Sequence, residues 1–241
     1  MTTKPATRIP ARDQIKLAAR RLFAERGVDG VSTREIVKAA GQKNQGSLNY
    51  YFGTKEELVR ELVVDGAKLI DERRNKALDE LAAKGGAKTV EDITDILIFP
   101  SVRISRGGRY HEDSYSRFVT LLGQSHPKMF VAALENKWNS GYLRCLDEIR
   151  KLLPDIPASV LNQRFKFIGG YLGAVLSIRE RALTVDDQPK KLWASDSTLR
   201  HFSQTMAAIL TAPYRPEMFE ADEITPSAAT SERNSATGPF G

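Results

Sequence analysis

Two short helices near the amino terminus constrain the fold more than any other feature of the sequence. Ser32–Glu35 (STRE) is a capping box, in which a serine starts a helix and a glutamate three residues later reaches back to it. Gly41 is suited to end that helix, because glycine adopts a left-handed C-cap at little cost. Asn44 is a favourable N-cap for a third helix over Gln45–Phe52, and the capping box Thr54–Glu57 (TKEE) opens a long fourth helix. Two short helices joined by a glycine-led turn predict a helix-turn-helix.

The rest of the chain also has helical periodicity, and no strand pattern competes with it. A first helix is predicted over Arg12–Arg26, ended by Gly27. Later helices are predicted over Val90–Val102, Glu112–Gln124, Pro127–Leu153, Pro157–Leu183 and Ser197–Thr211. The sequence therefore predicts an all-α protein. The predicted division is a flexible basic arm at 1–10, a helix-turn-helix domain at 11–53, a larger helical domain at 54–212 and a disordered tail at 213–241.

Positive charge is concentrated in the first quarter of the chain. Residues 1–60 contain 12 Lys and Arg against 6 Asp and Glu, whereas residues 61–241 contain 24 of each. A basic segment joined to a neutral remainder favours a nucleic-acid-binding domain on a carrier with another task. The alternative is a solvated basic surface without a partner.

The composition excludes several other classes of protein. The single cysteine, Cys145, excludes a disulfide framework and fits a reducing cytoplasm. The longest uncharged apolar stretch, Phe167–Ile178, is too short to cross a membrane, so no membrane partner is expected. His111, His126 and His201 lack metal-ligand spacing, and no nucleophile or oxyanion site accompanies them, so we expect no metal, no cofactor and no enzymatic activity.

The third helix has the side chains that base edges in a major groove require. Its outward positions are Gln45, Gly46, Ser47, Asn49 and Tyr50. Leu48 and Phe52 face inward, while glutamine and asparagine can hydrogen bond to adenine edges. Thr33 and Arg34 begin the preceding helix, where a phosphate is favoured, and Lys55 follows the third helix. The alternative is an ordinary polar helix hairpin.

These residues resemble the DNA-binding domain of the TetR/AcrR family of bacterial transcriptional regulators. The similarity is carried by STREIVKAAG at 32–41, GSLNYYFGTKEELV at 46–59 and FAERG at 23–27, and it covers roughly Ile9–Val64. Two departures stand out: ten residues rather than the family's usual nine lie between Gly41 and Phe52, and Asn49 replaces the usual first tyrosine. The resemblance implies that DNA is contacted by Thr33, Arg34, Gln45, Gly46, Ser47, Asn49, Tyr50, Tyr51 and Lys55.

For the remainder, the resemblance implies a domain that binds a small molecule and forms a homodimer. Apolar stripes on the last two long helices predict a four-helix dimer interface, with small residues allowing close approach. The interface residues predicted are Leu161, Phe165, Gly169, Leu172, Gly173, Leu176, Leu199, Phe202 and Met206. The alternative is that these stripes pack within one chain.

Bulky residues on the middle helices are candidates for a ligand pocket, although aromatic residues at helical spacing are more often core. They are Phe99, Tyr115, Phe118, Met129, Phe130, Trp138 and Tyr142. Their number favours a small apolar or aromatic effector. The sequence thus predicts a cytoplasmic, ligand-responsive repressor released from a palindromic operator in double-stranded DNA. The alternative is an all-α enzyme or small-molecule carrier with an incidental basic amino-terminal region.

Overall fold

The computed structural model describes residues 9–102, 114–135, 137–184 and 190–215, and within them the protein is helical without strands. The α-helices are α1 Ala11–Arg26, α2 Thr33–Ala39, α3 Ser47–Phe52, α4 Lys55–Ala83, α5 Val90–Ile98, α6 Tyr115–Ser125, α7 Pro127–Leu134, α8 Ser140–Leu152, α9 Ala158–Thr184, α10 Lys190–Ala194 and α11 Asp196–Thr211. A 3-10 turn, Phe99–Ser101, follows α5. The all-α prediction is confirmed. Most of the predicted arm and tail, and His111, lie outside the described residues.

The first three helices, here called the helix-turn-helix unit (α1–α3), begin and end largely where the sequence predicts. The capping box at Ser32 is complete: its hydroxyl accepts from Glu35 N at 3.3 Å, and Ser32 N donates to Glu35 Oε2 at 2.8 Å. The third helix is shorter than predicted, because Asn44 caps a turn rather than the helix. Its Oδ1 accepts from Gly46 N at 2.8 Å, and α3 starts only at Ser47.

The remaining helices, here called the helical body (α4–α11), depart from the prediction in three places. One is the short α10, Lys190–Ala194, which the sequence analysis did not predict. The predicted helix Val90–Val102 ends as an α-helix at Ile98, since Pro100 has no amide hydrogen to continue it. The predicted single helix Pro127–Leu153 is wrong. It is divided into α7 and α8, and Glu135 after α7 takes the left-handed conformation with φ 51°. No described helix is long and apolar enough to cross a membrane.

The core consists of two clusters of buried apolar side chains, and their division does not follow the predicted domain boundary. The first cluster joins the helix-turn-helix unit to α6 and α7 through contacts such as the stacked rings of Phe23 and Phe118, 6.0 Å apart. The second cluster joins α5, α8, α9 and α11. Because α6 and α7 share a core with α1–α3, a shift in either helix acts directly on the helix-turn-helix unit.

Candidate DNA interface and ligand pocket

The turn between α2 and α3 is fixed by a Schellman motif. Gly41 has φ 66°, Gly41 N donates to Lys38 O at 3.0 Å, and Gln42 N donates to Val37 O at 3.1 Å. The side chain of Gln42 then reaches α1, donating to Gln14 Oε1 at 2.7 Å. This half-buried glutamine lies in the segment that is one residue longer than the family usually has. The added length is therefore tied to α1 by a hydrogen bond.

The α3 helix is held by its apolar residues and presents polar and aromatic residues to solvent. Leu48 and Phe52 are buried in the first core cluster, as expected for inward positions. Asn49, Tyr50 and Tyr51 are exposed, and Tyr50 is the most exposed at 83%. The rings of the two tyrosines meet edge to face at 5.0 Å. A buried anchor with an exposed aromatic and amide surface is the form that a groove-binding helix needs.

The other predicted contact residues lie around α3. Gln45 and Gly46 are exposed in the turn before it, and Ser47 Oγ donates back to Asn44 O at 2.7 Å. Thr33 and Arg34 occupy the first turn of α2. Lys55 begins α4, with its ammonium 5.9 Å from the ring centroid of Phe23. A cation is disfavoured at a helix amino terminus, so helix stability alone does not explain this lysine.

Some cationic side chains of the helix-turn-helix unit form ion pairs with acidic residues, and others do not. Lys16 on α1 lies within 3.0 Å of Glu61 on α4, and Arg26 lies 2.8 Å from Glu35. By contrast Arg34, Lys38 and Lys43, which are exposed on α2 and in the following turn, make no ion pair within the described part of the chain. Sequence reasoning missed Lys38 and Lys43. The signal that would have found them is position, because Lys38 lies near the end of the second helix and Lys43 lies in the turn that leads to the third.

Glu35 is the acidic residue at the start of α2, and its charge is stabilised locally. The backbone and hydroxyl hydrogen bonds from Ser32, followed by the bond from Arg26, lower the pKa of this carboxyl to about 2. Glu35 therefore stays ionised in ordinary conditions. Its carboxylate bonds to Ser32 and Arg26 and forms no ion pair with Arg34, so the guanidinium of Arg34 is available for another anion.

A cavity of about 80 Å³ lies between α4, α6, α7, α8 and α9. Four of the seven predicted pocket residues line it: Tyr115, Phe130, Trp138 and Tyr142. The other three lie elsewhere. Phe118 faces Phe23, Met129 packs on the first core cluster, and Phe99 packs on the second. These three point away from the cavity because α6, α7 and the 3-10 turn each have two faces covered by apolar neighbours.

The cavity also contains buried polar side chains that the sequence analysis did not select. Arg74 and Asn139 are 7% and 5% exposed, and both line the cavity. Burial lowers the pKa of the Arg74 guanidinium, and burial raises the pKa of Tyr142 to about 12. An arginine in the interior of a long helix gives no sequence signal that distinguishes it from a surface residue. Only its burial identifies it.

The apolar stripes predicted as a dimer interface are packed within the chain. Seven of the nine residues are in the second core cluster: Leu161, Phe165, Leu172, Leu176, Leu199, Phe202 and Met206. Gly169 and Gly173 are buried as well, and Gly173 O accepts from Thr120 Oγ1 of α6 at 3.3 Å. The backbone of Gly173 thus takes part in the contact between α9 and α6. These side chains are used inside one chain because α6, α8 and α11 pack against α9.

A different face of α9 is open to solvent and apolar. It contains Phe167, Gly170, Ala174 and Ile178, at successive helical turns, and is here called the outer face of α9. Phe167 is 56% exposed and Ile178 is 53% exposed. A Cβ built on Gly170 meets no atom within 4 Å. Next to this face, the hydroxyl groups of Tyr171 and Thr205 lie 2.8 Å apart and join α9 to α11.

The fold combines a basic helix-turn-helix unit with a helical body that encloses a cavity. Comparison with known proteins agrees. Residues 15–62 match the family described as bacterial regulatory proteins, tetR family. The chain is also 36% identical over 73 residues to the HTH-type transcriptional regulator PksA of Bacillus subtilis, a match covering 30% of this chain. It spans about a third of the length of that curated relative, 33%.

One solved structure shares the fold over most of the chain at low sequence identity. A tetR family transcription regulator from Shewanella sp. PV-4 superposes with a TM-score of 0.51 at 16% identity, covering 83% of this chain and 96% of the other. The regulator PfmR from Thermus thermophilus superposes with a TM-score of 0.48 at 17% identity, covering 83% of this chain and 99% of the other. Residues 15–62 thus match the tetR family of bacterial regulatory proteins, and the Shewanella structure shares the fold of the chain.

Proposed function

We propose that this protein is a homodimeric transcriptional repressor that binds a palindromic operator and is released from it by a small molecule. The observation that carries the proposal is the pairing of an exposed polar α3 with unpaired cations beside it. This surface is joined through a shared core to helices that line a cavity.

Operator binding is supported by two groups of residues around α3, one suited to base edges and the other to phosphates. Asn49, Tyr50 and the turn residues Gln45–Ser47 present hydrogen-bonding groups for base edges. Thr33, Arg34 and Lys55 flank them and are suited to phosphates. The exposed, unpaired Lys38 and Lys43 add to this phosphate-binding group.

A twofold dimer is supported by the outer face of α9. Two large apolar side chains, Phe167 and Ile178, are half exposed, and the small residues Gly170 and Ala174 between them let a second helix approach closely. A symmetric interface uses the same face from both subunits. A twofold interface relates the two copies of α3 by symmetry, as a palindromic operator requires.

Release by a ligand is supported by the position of the cavity. Ala67, Ile70 and Arg74 of α4 line it, and the same helix starts at Lys55 beside α3. The α6 helix lines the cavity with Tyr115, while Phe118 on its other face packs on Phe23 of α1. A ligand that moves α4 or α6 therefore moves the helix-turn-helix unit. In a dimer such a movement changes the spacing of the two α3 helices and weakens operator binding.

A gel-shift titration with the DNA that flanks the gene tests the proposal, together with retention on heparin. We expect wild-type protein to shift a specific fragment, and Arg34→Ala and Tyr50→Ala to lose most of that shift. Lys76→Ala is the matched control, because Lys76 is exposed on α4 in the helical body and its side chain is 78% accessible. A protein that is indifferent to DNA would instead support a helical enzyme or carrier with an incidental basic surface.

A further inference from the structure

Arg74 is a buried cation without an anionic partner in the described structure. Its Nη2 donates to Leu97 O at 2.8 Å and to Ser101 Oγ at 3.0 Å, which are both neutral acceptors. Its Nε makes no hydrogen bond, and no carboxylate of the described residues lies within the 4.0 Å that defines an ion pair. The face of the Tyr142 ring, whose centroid lies 5.7 Å from Arg74 Cζ, offsets part of the charge. Burial of the guanidinium is still costly, because it has no anionic partner among the described residues and its Nε lacks a hydrogen bond.

The nearest acidic side chain is occupied by other groups. Asp71 lies one turn earlier on α4, and its Oδ1 accepts from Gly141 N at 2.7 Å. Its Oδ2 accepts from Ser140 Oγ at 2.8 Å and from Asn75 Nδ2 at 3.2 Å. Asp71 thus anchors the start of α8. It leaves the Nε of Arg74 without a hydrogen-bond acceptor among the described residues.

Asn139 provides a second unpartnered polar atom in the same cavity. Its Oδ1 is buried and accepts no hydrogen bond from the residues that the structure describes. Most of the remaining lining is apolar or aromatic, including Val119, Phe130, Leu134 and Leu172. A ligand with one small polar end and an apolar remainder matches this distribution.

We propose that the cavity binds an organic carboxylate whose anionic group pairs with the guanidinium of Arg74 and whose apolar remainder lies among Val119, Phe130 and Leu134. A carboxylate fits better than a phosphate, because a single guanidinium faces a largely apolar lining and compensates one negative charge rather than two. A hydroxyl or amine on such an acid would satisfy Asn139 Oδ1. This assignment rests on the proposed function, and it replaces an effector that is merely apolar with one that carries a charge.

Arg74 also lies on the helix that leads to the DNA interface. It is nineteen residues after Lys55, a distance of about 29 Å along α4 at about 1.5 Å per residue. An anion that draws the guanidinium away from Leu97 O and Ser101 changes the contacts between α4 and the end of α5. Charge recognition and helix movement would thus occur at the same residue.

The test uses four small carboxylates and their primary amides: benzoate, phenylacetate, butyrate and hexanoate. Binding to the full chain is measured by calorimetry and by the rise in melting temperature. We expect carboxylates to bind at least about tenfold more tightly than the matched amides. Arg74→Met keeps an unbranched side chain of similar length and should abolish the preference, whereas Arg74→Lys should retain part of it. Arg73→Met is the matched control, because Arg73 bonds Pro100 O and Val102 O and does not line the cavity.

Stability without ligand separates this role from a structural one. If the role of Arg74 is to bind an anionic ligand, the ligand-free Arg74→Met protein should melt at the same temperature as ligand-free wild type or higher. The substitution removes a buried charge that has no anionic partner among the described residues. Equal binding of carboxylates and amides, a preference that survives in Arg74→Met, or no binding of any carboxylate would each overturn the proposal. A gel shift on the same preparations tests the proposed function independently. Operator binding without carboxylate binding refutes this inference alone, and carboxylate binding without operator binding refutes only the proposed function.

Discussion

The ring of Tyr115 lies directly on Gly66, so that a Cβ added at Gly66 would stand 2.2 Å from Tyr115 Cε2. The phenolic hydroxyl donates to Val63 O at 2.8 Å, one turn earlier on α4. Tyr115 also lines the cavity. These contacts lock the start of α6 onto α4 at the wall of the cavity, so that a ligand that displaces Tyr115 also acts on the helix that leads to α3.

Gly66→Ala should therefore destabilise the protein although alanine favours a helix. The methyl group must displace the Tyr115 ring, at a cost of about 1–3 kcal/mol that exceeds the gain of about 1 kcal/mol in helix propensity. Urea unfolding measures the difference. In a Tyr115→Leu background the smaller side chain leaves room, and the same substitution should cost nothing. An equal cost in both backgrounds would mean that the Tyr115 ring is not what the methyl group meets.

Operator affinity should depend steeply on salt. With about 6–8 phosphates neutralised per dimer, log K against log[salt] should slope by about −5 to −7. Arg34→Ala removes one phosphate contact from each subunit, so the slope should become shallower by about 2. Fluorescence anisotropy at several salt concentrations provides the slope, with Lys76→Ala as the control that keeps the wild-type value. A slope near zero would contradict phosphate binding by this surface.

A charged substitution on the outer face of α9 should prevent the protein from forming a homodimer. Ala174→Arg places a charge at the centre of the proposed interface, while Ala174 is exposed in the single chain and the fold should tolerate it. Sedimentation should then show monomer, and operator binding should weaken because the two half-sites are no longer engaged together. Ala83→Arg, at the exposed end of α4, should remain dimeric. A dimeric Ala174→Arg protein would place the interface elsewhere.

Acid stability should report on the cap of α2. The pKa of Glu35 is about 2 in the folded protein against 4.5 ordinarily, so its contribution is complete above about pH 4.5 and lost as the pH falls towards 2. Wild type should melt at a higher temperature than Glu35→Gln, by an amount that is constant near neutral pH. This difference should become smaller as the pH falls below 4.5. Glu56→Gln provides the comparison, because Glu56 makes no hydrogen bond or ion pair in the described structure. A pH-independent difference would show that ionised Glu35 does not hold this cap.

Sequence reasoning succeeded where a local signal specifies a local structure. The capping box at Ser32 and the left-handed Gly41 are each decided by a few neighbouring residues, and both are present in the structure. The boundary of α3 was misplaced because an asparagine side chain can cap a non-helical turn as well as a helix. The predicted DNA-contact residues remain predictions, since no bound DNA is described.

Features that depend on tertiary packing could not be predicted from the sequence. The stripe containing Leu172 and Phe202 is apolar whether it faces another subunit or its own core, and periodicity does not distinguish the two. The weaker stripe through Phe167 and Ile178 was overlooked because its small residues lower its apolar content. Burial of Arg74 follows from the crossing of α4, α5 and α8, which no short stretch of sequence encodes.

The central claim is that a ligand in the cavity and an operator on α3 compete without sharing a site. The direct measurement is calorimetric affinity of the tightest-binding carboxylate with and without saturating operator DNA. We expect the ligand to bind more weakly in the presence of operator, by a factor of about 5–150, which is the usual range for coupled sites. Saturating ligand should weaken operator binding by the same factor. Equal ligand affinities in the two conditions would contradict the account and leave a DNA-binding protein whose cavity has no part in regulation.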